Sequence, residues 1–526
     1  MKYTLLSLTS ILLLFASVRA EEPQEDAQRK LWEPSLVVQK MQENIGQADT
    51  IALVVDISPS MTSTLADMGE EFKRLQGLIA ASDATYTPMG LITFGKKAKV
   101  IERPTKNYTK IATALGKVDS TLSGGKECPM AAIRLALESF APKLERLVIF
   151  LVYDEAGDDQ ETLEETIELC RQKKATVHLI GRDAAFGKAD WTWQQILLSA
   201  EASRVEILEA TLGSEMPRDS LIYETRFLQR IWDPEGRGLN YCVSSGYAHW
   251  ALSRLAHETG GAFFPLKSGV SRVAYAHETT LALKAEYRPS LEPLDNVLEA
   301  MAKHQLGRFT QPTLEAMSKV EWPNMVFKGV QSPEDMTMRF NKCLKEIATA
   351  SQQVDAVLEA HLKGRSAYRE SLLRARADWE LTGASLMVIR FHLERLKDQV
   401  EGWLKDSAIL KLSGRVIIVP DSNVHAESNE TRESRESLQD LLGEADGAVD
   451  MTSRFLESLT QITNQPCSDA ASMRLRAEKA LELVMGNHKN TPWAASARLI
   501  KEAMGDYILK PIKFVPGSGP ITNPFQ

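Results

Sequence analysis

Cysteine is scarce in this chain of 526 residues, which contains only five. None of the five stands in a Cys-x-x-Cys pair, so the spacings typical of zinc sites and thiol redox motifs are missing. Five are also too few to build a fold of this length on disulfides, and their odd number leaves a thiol that is free or pairs with another chain. We interpret most of them as small buried hydrophobic residues. They are Cys128, Cys170, Cys242, Cys343 and Cys467.

Two further absences narrow the function. The formal net charge is −8 and no stripe of lysine and arginine interrupts the acidic composition, so we expect neither nucleic acid nor an anionic membrane as a partner. The chain also lacks a G-x-S-x-G elbow, an H-E-x-x-H helix, a phosphate-binding P-loop and a Cys–His pair in a suitable context. We therefore expect a protein that is not an enzyme.

Residues 1–20 have the pattern of a secretory signal peptide. Lys2 provides a short basic segment, residues 5–18 are an apolar stretch, and Ala20 ends the expected cleavage site. The apolar stretch is short for a membrane span, and an uncleaved anchor is the alternative. No later run approaches the roughly eighteen apolar residues of a span, so we expect no membrane span in the mature chain. The mature protein would be secreted or periplasmic, and its charge would be −10 instead of −8 because the leader removes two basic residues and no acidic ones.

Residues 21–48 form a polar lead-in, after which short apolar runs alternate with amphipathic helices. Runs that are apolar without alternation are typical of strands buried on both faces of a parallel sheet. The helices between them carry apolar residues three and four positions apart, so each presents one face to the sheet. This order predicts a doubly wound, Rossmann-like α/β domain at residues 49–292. Its expected strands are residues 51–56, 89–94, 147–154, 176–180 and 262–266.

The α/β pattern contains an insertion at about residues 184–245 that is longer than an ordinary connection. The insertion is rich in aromatic residues, which are packing residues first of all. We interpret it as a self-packed subdomain, and the alternative is a recognition surface. Its aromatic residues are Phe186, Trp191, Trp193, Tyr223, Phe227, Trp232 and Tyr241.

The second half of the chain has an all-α pattern. Residues 293–412 predict a helical hairpin whose first helix begins at Ser332, because a serine cap is followed by proline and two acids. The second helix carries apolar residues from Tyr368 to Trp403 at the spacing of a heptad seam, interrupted at Thr382. We expect this coiled-coil-like hairpin to be independent of the α/β core and to pair with itself or, alternatively, with a partner.

The remaining segments are shorter. Residues 413–437 are polar and predict a linker, and residues 511–526 are rich in proline and glycine and predict a loose tail. Between them, residues 438–510 predict more helices, one of which begins at Thr491 after a turn.

Polar residues of a recognisable spacing follow the first expected strand. Asp56, Ser58 and Ser60 place one carboxylate and two hydroxyls on a single turn at the carboxyl end of that strand. Oxygen ligands are what hard divalent cations such as Mg²⁺ prefer. The carboxyl edge of a doubly wound sheet is also where such folds bind ligands. The turn therefore predicts a cation site.

The spacing D-x-S-x-S resembles the metal-ion-dependent adhesion site of von Willebrand factor type A (vWA) domains. That site also uses a threonine in a Gly-Gly loop and an aspartate at the end of a later strand. Asp154 matches the aspartate, although the usual Thr-Asp-Gly is replaced here by Tyr153, Asp154 and Glu155. The loop contains Gly124 and Gly125, but Lys126 or Glu127 stands where the threonine is expected.

The resemblance implies five metal ligands, with Glu127 taken as the loop ligand and Mg²⁺, or Ca²⁺ or Mn²⁺, as the cation. Lys126 pointing inward is the alternative, and it would leave the site empty because its ammonium repels a cation. Asp154 could instead cap the next helix, and Glu155, Asp158 and Asp159 are expected to be a solvated helix start. The implied ligands are Asp56, Ser58, Ser60, Glu127 and Asp154.

Three other stretches resemble secreted vWA proteins of planctomycete-type bacteria, namely residues 153–159, 181–187 and 245–264. Together the patterns imply a secreted adhesion module that recognises a carboxylate-bearing protein or surface through its cation. The alternative is a metal-free structural scaffold that assembles through its vWA fold and its helices.

The leader generates the first testable expectation. Exported protein should begin at Glu21, because the signal peptide would be removed after Ala20. Amino-terminal sequencing of the material outside the cytoplasm measures this directly, and a start at Met1 would contradict it.

Overall fold

A computed structural model describes most of the α/β half and of the helical half. The expected signal peptide, nearly all of the lead-in and most of the linker lie outside the described residues. The described ranges are residues 48–58, 61–80, 87–118, 126–141, 146–187, 191–199, 202–210, 214–218, 243–265, 285–420, 469–504 and 509–514.

The α/β half is built on a six-stranded sheet with the order β3-β2-β1-β4-β5-β8. Neighbouring strands of this sheet are parallel, except that the edge strand β3 runs antiparallel to β2. The strands are β1 (Thr50–Asp56), β2 (Met89–Phe94), β3 (Lys99–Thr105), β4 (Leu147–Tyr153), β5 (Thr176–Gly181) and β8 (Phe263–Pro265).

Helices cover both faces of this sheet. Alternate residues of β1 point to opposite sides of the sheet. Leu53 lies in one hydrophobic core with the helices that follow β1 and β3, and Val54 lies in a second core with the three later helices of this half. Burial on both faces is why the central strands are continuously apolar. The helices are α1 (Thr62–Ala80), α2 (Tyr108–Leu115), α3 (Pro129–Phe140), α4 (Leu163–Gln172) and α5 (Trp250–Glu258).

The doubly wound fold class is confirmed, with one strand that the sequence pattern did not indicate. Strand β3 alternates exposed and half-buried residues and contains a proline. These features are tolerated at the edge of a sheet, where one side of the strand has no neighbour.

The insertion contributes a two-stranded antiparallel hairpin, β6 (Trp191–Ser199) and β7 (Ala202–Ala210). Its flanking segments return to the loop after β5, where Ala185 forms bridges to Ser214 and Ser244. Phe186 is buried there against a tryptophan of the helical half, which supports packing for this one aromatic residue. Tyr223, Phe227, Trp232 and Tyr241 lie outside the described residues.

The helical half contains the expected hairpin of two long helices. Ser332 caps the first of them, accepting a hydrogen bond from the backbone N of Asp335 at 3.2 Å, with Pro333 in the first turn. Among the described residues no helix is long and apolar enough to cross a membrane. The helices are α6 (Leu294–Lys303), α7 (Gly307–Met317), α8 (Pro333–Leu362), α9 (Leu373–Trp403), α10 (Ser407–Leu410), α11 (Ala470–Asn487) and α12 (Pro492–Ala503).

The hairpin of α8 and α9 is not independent, which corrects the expectation of a separate coiled-coil-like unit. Helix α9 packs against α11 and α12 as well as against α8, and even Glu380, Thr382 and His392 are buried. The same hydrophobic core includes Phe186 and Val243 from the α/β half. The heptad spacing is one face of a helix that has neighbours on several sides.

A three-stranded antiparallel sheet corrects two expected boundaries. It has the order β11-β10-β9 and is formed by β9 (Val326–Val330), β10 (Gly414–Pro420) and β11 (Leu509–Phe514). The expected linker at 413–437 therefore starts as a strand, and the expected loose tail at 511–526 does too. Each strand is short and finds its partners far away in sequence, so no local pattern identified the sheet.

The two halves meet at a buried ion pair. Glu215 Oε1 lies 2.6 Å from Arg374 Nη2, and Arg374 Nη1 donates to the carbonyl of Tyr287 at 2.7 Å. Glu215 also accepts from the backbone N of Gly187 at 3.1 Å. The side chains of Glu215 and Arg374 are 1% and 10% exposed, so this ion pair is shielded from water.

Replacing Glu215 with glutamine should destabilise the protein strongly. The change keeps the shape but breaks the buried ion pair of Arg374, and breaking such a pair costs about 3–5 kcal/mol. The free energy of unfolding in urea measures this. Asp49→Asn is the matched control, because Asp49 pairs with the exposed Arg146 at 3.8 Å and should matter by less than about 1 kcal/mol. Equal losses in the two variants would contradict the expectation.

Candidate metal centre

The first part of the centre is the turn that follows β1. The backbone N of Ser58 donates to Asp56 Oδ1 at 2.7 Å, and Ser58 Oγ donates to Asp56 Oδ2 at 3.1 Å. The backbone N of Ile57 donates to the carbonyl of Phe94 at the end of β2, which holds the turn to the neighbouring strand. Asp56 is therefore oriented by its own turn and lies fully buried at the carboxyl edge of the sheet.

Asp154 follows β4, which lies beside β1 in parallel register with Val55 opposite Val152. Parallel neighbours end at the same edge, so Asp154 lies close to the turn after β1. Ser58 Oγ is 3.4 Å from Asp154 Oδ1. Its position beside Ser58, rather than at the start of the next helix, favours the metal role over the capping role.

Glu127 is brought to the same edge by a clamp between two loops. Asp158 accepts a hydrogen bond from the backbone N of Glu127 at 2.9 Å, and the backbone N of Asp158 donates back to the Glu127 carbonyl at 2.6 Å. Asp159 accepts from the backbone N of Met130 and of Ala131, at 3.2 and 2.8 Å, and so caps α3. Asp158 and Asp159 therefore position the loop, which corrects the expectation of a solvated helix start.

Gly157 allows these two loops to approach. Its φ is +83°, a conformation that side chains other than glycine rarely adopt. A Cβ at this position would also lie 2.4 Å from the ring of Pro129. The loop after β4 can therefore reach the loop before α3 only with glycine here.

The result is a cluster of three carboxylates around the Ser58 hydroxyl. Asp56, Glu127 and Asp154 each offer an oxygen atom, and these atoms all lie within 4.8 Å of one another. Lys126 is exposed, so its ammonium is not the group that faces the cluster. Ser60 lies outside the described residues. The structure thus brings together four of the five residues that the sequence indicated.

Burial and mutual repulsion make the ionised form of this cluster costly. Burial, with the charge of Asp154 as the next cause, raises the pKa of Asp56 to about 8. Burial and the neighbouring carboxylates raise the pKa of Glu127 to about 11, and the pKa of Glu155 is raised to about 7 in the same way. Such a group of acids is stable near neutral pH only if it holds protons or a cation.

The donor set fits a hard divalent cation. All the assembled groups are oxygen ligands, which suit Mg²⁺, Ca²⁺ and Mn²⁺, and no histidine or thiol takes part among the described residues. Cys128, in the same loop, is a free thiol, and burial is the first cause that raises its pKa. The remaining described cysteines, Cys170 and Cys343, are buried as expected, while Cys242 and Cys467 lie outside the described residues.

One charged residue near the centre was missed by the sequence reasoning. Arg182 directly follows β5, the strand next to β4, and its Nη1 lies 4.0 Å from Asp154 Oδ2. The signal that could have found it is its place, since it ends a buried strand at the same edge as Asp56 and Asp154.

Residues 51–156 match the family model of the von Willebrand factor type A domain. This part of the chain is a vWA domain. The matched residues contain the turn after β1, Glu127 and Asp154, so the acidic cluster belongs to the vWA domain. No curated protein matches the chain significantly.

Three solved structures are similar to parts of the chain at low identity. An aerotolerance-related membrane protein from Bacteroides fragilis is 15% identical, with 41% of this chain and 91% of that chain covered and a TM-score of 0.26. The conserved hypothetical protein BatB from Bacteroides thetaiotaomicron is 14% identical, with 42% and 91% covered and a TM-score of 0.25. Proximal thread matrix protein 1 from the mussel byssus, described with a zinc-occupied MIDAS motif, is 20% identical, with 26% and 36% covered and a TM-score of 0.22. The match spans about a third of the mussel protein.

The raised pKa values predict that the metal-free protein loses stability as the pH rises. The unfolded carboxyl groups lose their protons near pH 4, whereas Asp56 keeps its proton up to about pH 8, so the free energy of unfolding falls between these values. Each proton held only in the folded state contributes a slope of about 1.4 kcal/mol per pH unit. Urea unfolding in a chelator at about pH 5 and about pH 8 measures the fall. Asp56→Asn, which carries no titrating group there, should show a smaller fall, and an equal one would contradict the assignment.

Proposed function

We propose that the vWA domain is a metal-dependent binding module that recognises a carboxylate-bearing protein or surface. The observation that carries the proposal is the convergence of three carboxylate oxygens within 4.8 Å, beside the Ser58 hydroxyl, at the edge where this fold binds ligands. Asp56, Ser58, Glu127 and Asp154 would hold the cation, together with Ser60 of the D-x-S-x-S sequence.

The proposed cation is Mg²⁺, with Ca²⁺ or Mn²⁺ as alternatives. Glu127 stands where vWA sites carry a neutral threonine, so this site has an additional negative charge. A further carboxylate strengthens the attraction for the cation and favours Ca²⁺ alongside Mg²⁺, since Ca²⁺ accepts more carboxylate ligands. When bound, the cation supplies a positive centre to which an acidic group of a partner is attracted.

The chain's own residues would prepare this site before a partner arrives. The turn hydrogen bonds of Ser58 orient Asp56, and the clamp from Asp158 and Asp159 holds Glu127 in place. Because these groups are already positioned, cation binding requires little ordering of the loops. The role would be binding without catalysis, in a secreted or periplasmic protein without a nucleic-acid partner, as the sequence indicates.

A metal-free structural scaffold is the second candidate. Carboxyl oxygens of Asp56 and Glu127 lie within 4.8 Å of each other, and a proton held between such neighbouring acids stabilises them without a cation. The helical half, which packs on the α/β half through a common core, would then carry the assembly. The two candidates differ in whether the parent protein binds a cation.

Calorimetric titration with Mg²⁺ and with Ca²⁺ tests the proposed function. The parent should bind one cation, and Glu127→Gln should weaken the binding by at least about tenfold because a charged ligand is lost. Asp56→Ala should abolish it.

Lys126→Thr is the matched control in the same loop. Its side chain is exposed, so the substitution should leave the affinity almost unchanged. Absence of binding in the parent, with binding restored by Lys126→Thr, would show that the lysine blocks the site and would favour the scaffold.

A further inference from the structure

Arg182 stands out at the metal centre because it is a buried cation among acids. Its side chain is 12% exposed, and Nη1 lies 4.0 Å from Asp154 Oδ2, beyond the distance of a hydrogen bond. Its Nε is buried and has no hydrogen-bond partner among the described residues. Burying a guanidinium with donors left unused is costly, so the arrangement calls for an explanation beyond pairing with Asp154.

The topology places this guanidinium at the rim of the cluster. Strands β1, β4 and β5 are parallel neighbours. Asp56 is the last residue of β1, and Asp154 and Arg182 directly follow β4 and β5. Arg182 therefore lies next to the cation position along the edge that faces a partner.

The charges of the site need this arginine if an acidic partner is to bind. Asp56, Glu127 and Asp154 carry three negative charges when ionised, and a divalent cation compensates two of them. The remaining negative charge would repel an incoming carboxylate. Arg182 cancels it and brings planar N–H donors that match the two oxygens of a carboxylate.

We infer that Arg182 is a second binding element for the acidic group of a partner, acting beside the cation and selecting carboxylate side chains of a protein. This inference rests on the proposed function, because it assumes the cation site. A binding role predicts opposite effects on two affinities: Arg182 should weaken the binding of the cation and strengthen the binding of the partner's carboxylate. A purely structural role would not produce this opposition.

The first experiment measures cation affinity by calorimetric titration of the full chain with Mn²⁺. Arg182→Gln should bind Mn²⁺ about tenfold more tightly than the parent, because a positive charge close to a ligand carboxylate has been removed. Arg146→Gln is the matched control. Arg146 is an exposed arginine directly before β4, so it lies at the amino end of that strand, whereas the metal centre lies at the carboxyl end. Removing its charge should not change the affinity for Mn²⁺.

The second experiment measures binding of the Mn²⁺-loaded protein to a poly-L-glutamate surface by surface plasmon resonance. The chain is itself acidic, so non-specific attraction to this polymer is disfavoured. The parent and Arg146→Gln should bind in a manner that a chelator abolishes, and Arg182→Gln should bind at least about tenfold more weakly. Arg182→Lys should lie between them, since it keeps the charge but loses the planar fork.

The outcomes separate this inference from the proposed function. A parent that binds no Mn²⁺ would overturn both. A parent that binds Mn²⁺ while Arg182→Gln holds poly-L-glutamate as tightly as the parent would overturn the role of Arg182 alone. Weaker Mn²⁺ binding in Arg182→Gln, with an unchanged thermal melt, would overturn it too, because the arginine would then support the cation site. Binding of Mn²⁺ by a parent that ignores the polymer would reject the carboxylate as the ligand.

Discussion

Repulsion between buried carboxylates is the interaction that governs the chemistry of the metal centre. Asp56, Glu127 and Asp154 are held within reach of one another by strand ends and by a two-loop clamp, although each raises the energy of the others when ionised. The fold keeps them together through the pairing of β1 with β4 and the hydrogen bonds that hold the Glu127 loop. A cation, protons or Arg182 can relieve the repulsion, and these three remedies define how the site would respond to metal and to pH.

The loop after β5 links this centre to the rest of the molecule. It begins at Arg182 beside Asp154 and continues to Phe186 and Gly187. Phe186 packs on Trp493 at a centroid distance of 4.7 Å, and the backbone N of Gly187 donates to Glu215, which pairs with Arg374. A short, packed segment thus joins the metal centre to the helical half. The α/β half and the helices are joined here by a common hydrophobic core and a buried ion pair, so the helical hairpin is not a separate unit.

Sequence patterns predict the structure correctly where it depends on residues that are close together in the chain. The buried strands, the D-x-S-x-S turn and the cap at Ser332 depend on residues a few positions apart, so the sequence pattern contains the whole cause. The resemblance to the vWA metal site linked Asp56 with Asp154, and the structure gives the physical cause, since β1 and β4 are parallel neighbours whose ends meet at one edge. Strand β3 and the sheet of β9, β10 and β11 could not be predicted in this way. Their strands are short or mixed in character, and distant partners stabilise them.

The sequence by itself determined the doubly wound fold and the turn of Asp56 and Ser58, because short-range periodicity and spacing are sufficient for these, and the resemblance to the vWA metal site indicated Asp154. Only the tertiary structure decided that Glu127, and not Lys126, faces the cluster. Hydrogen bonds from the backbone of that loop to the carboxylates of Asp158 and Asp159 set its direction, and those residues lie about thirty positions away. The tertiary structure alone also placed Arg182 beside Asp154 and packed α11 and α12 against α9. Contacts between residues far apart in the chain, which no local pattern encodes, give these groups their surroundings and hence their chemistry.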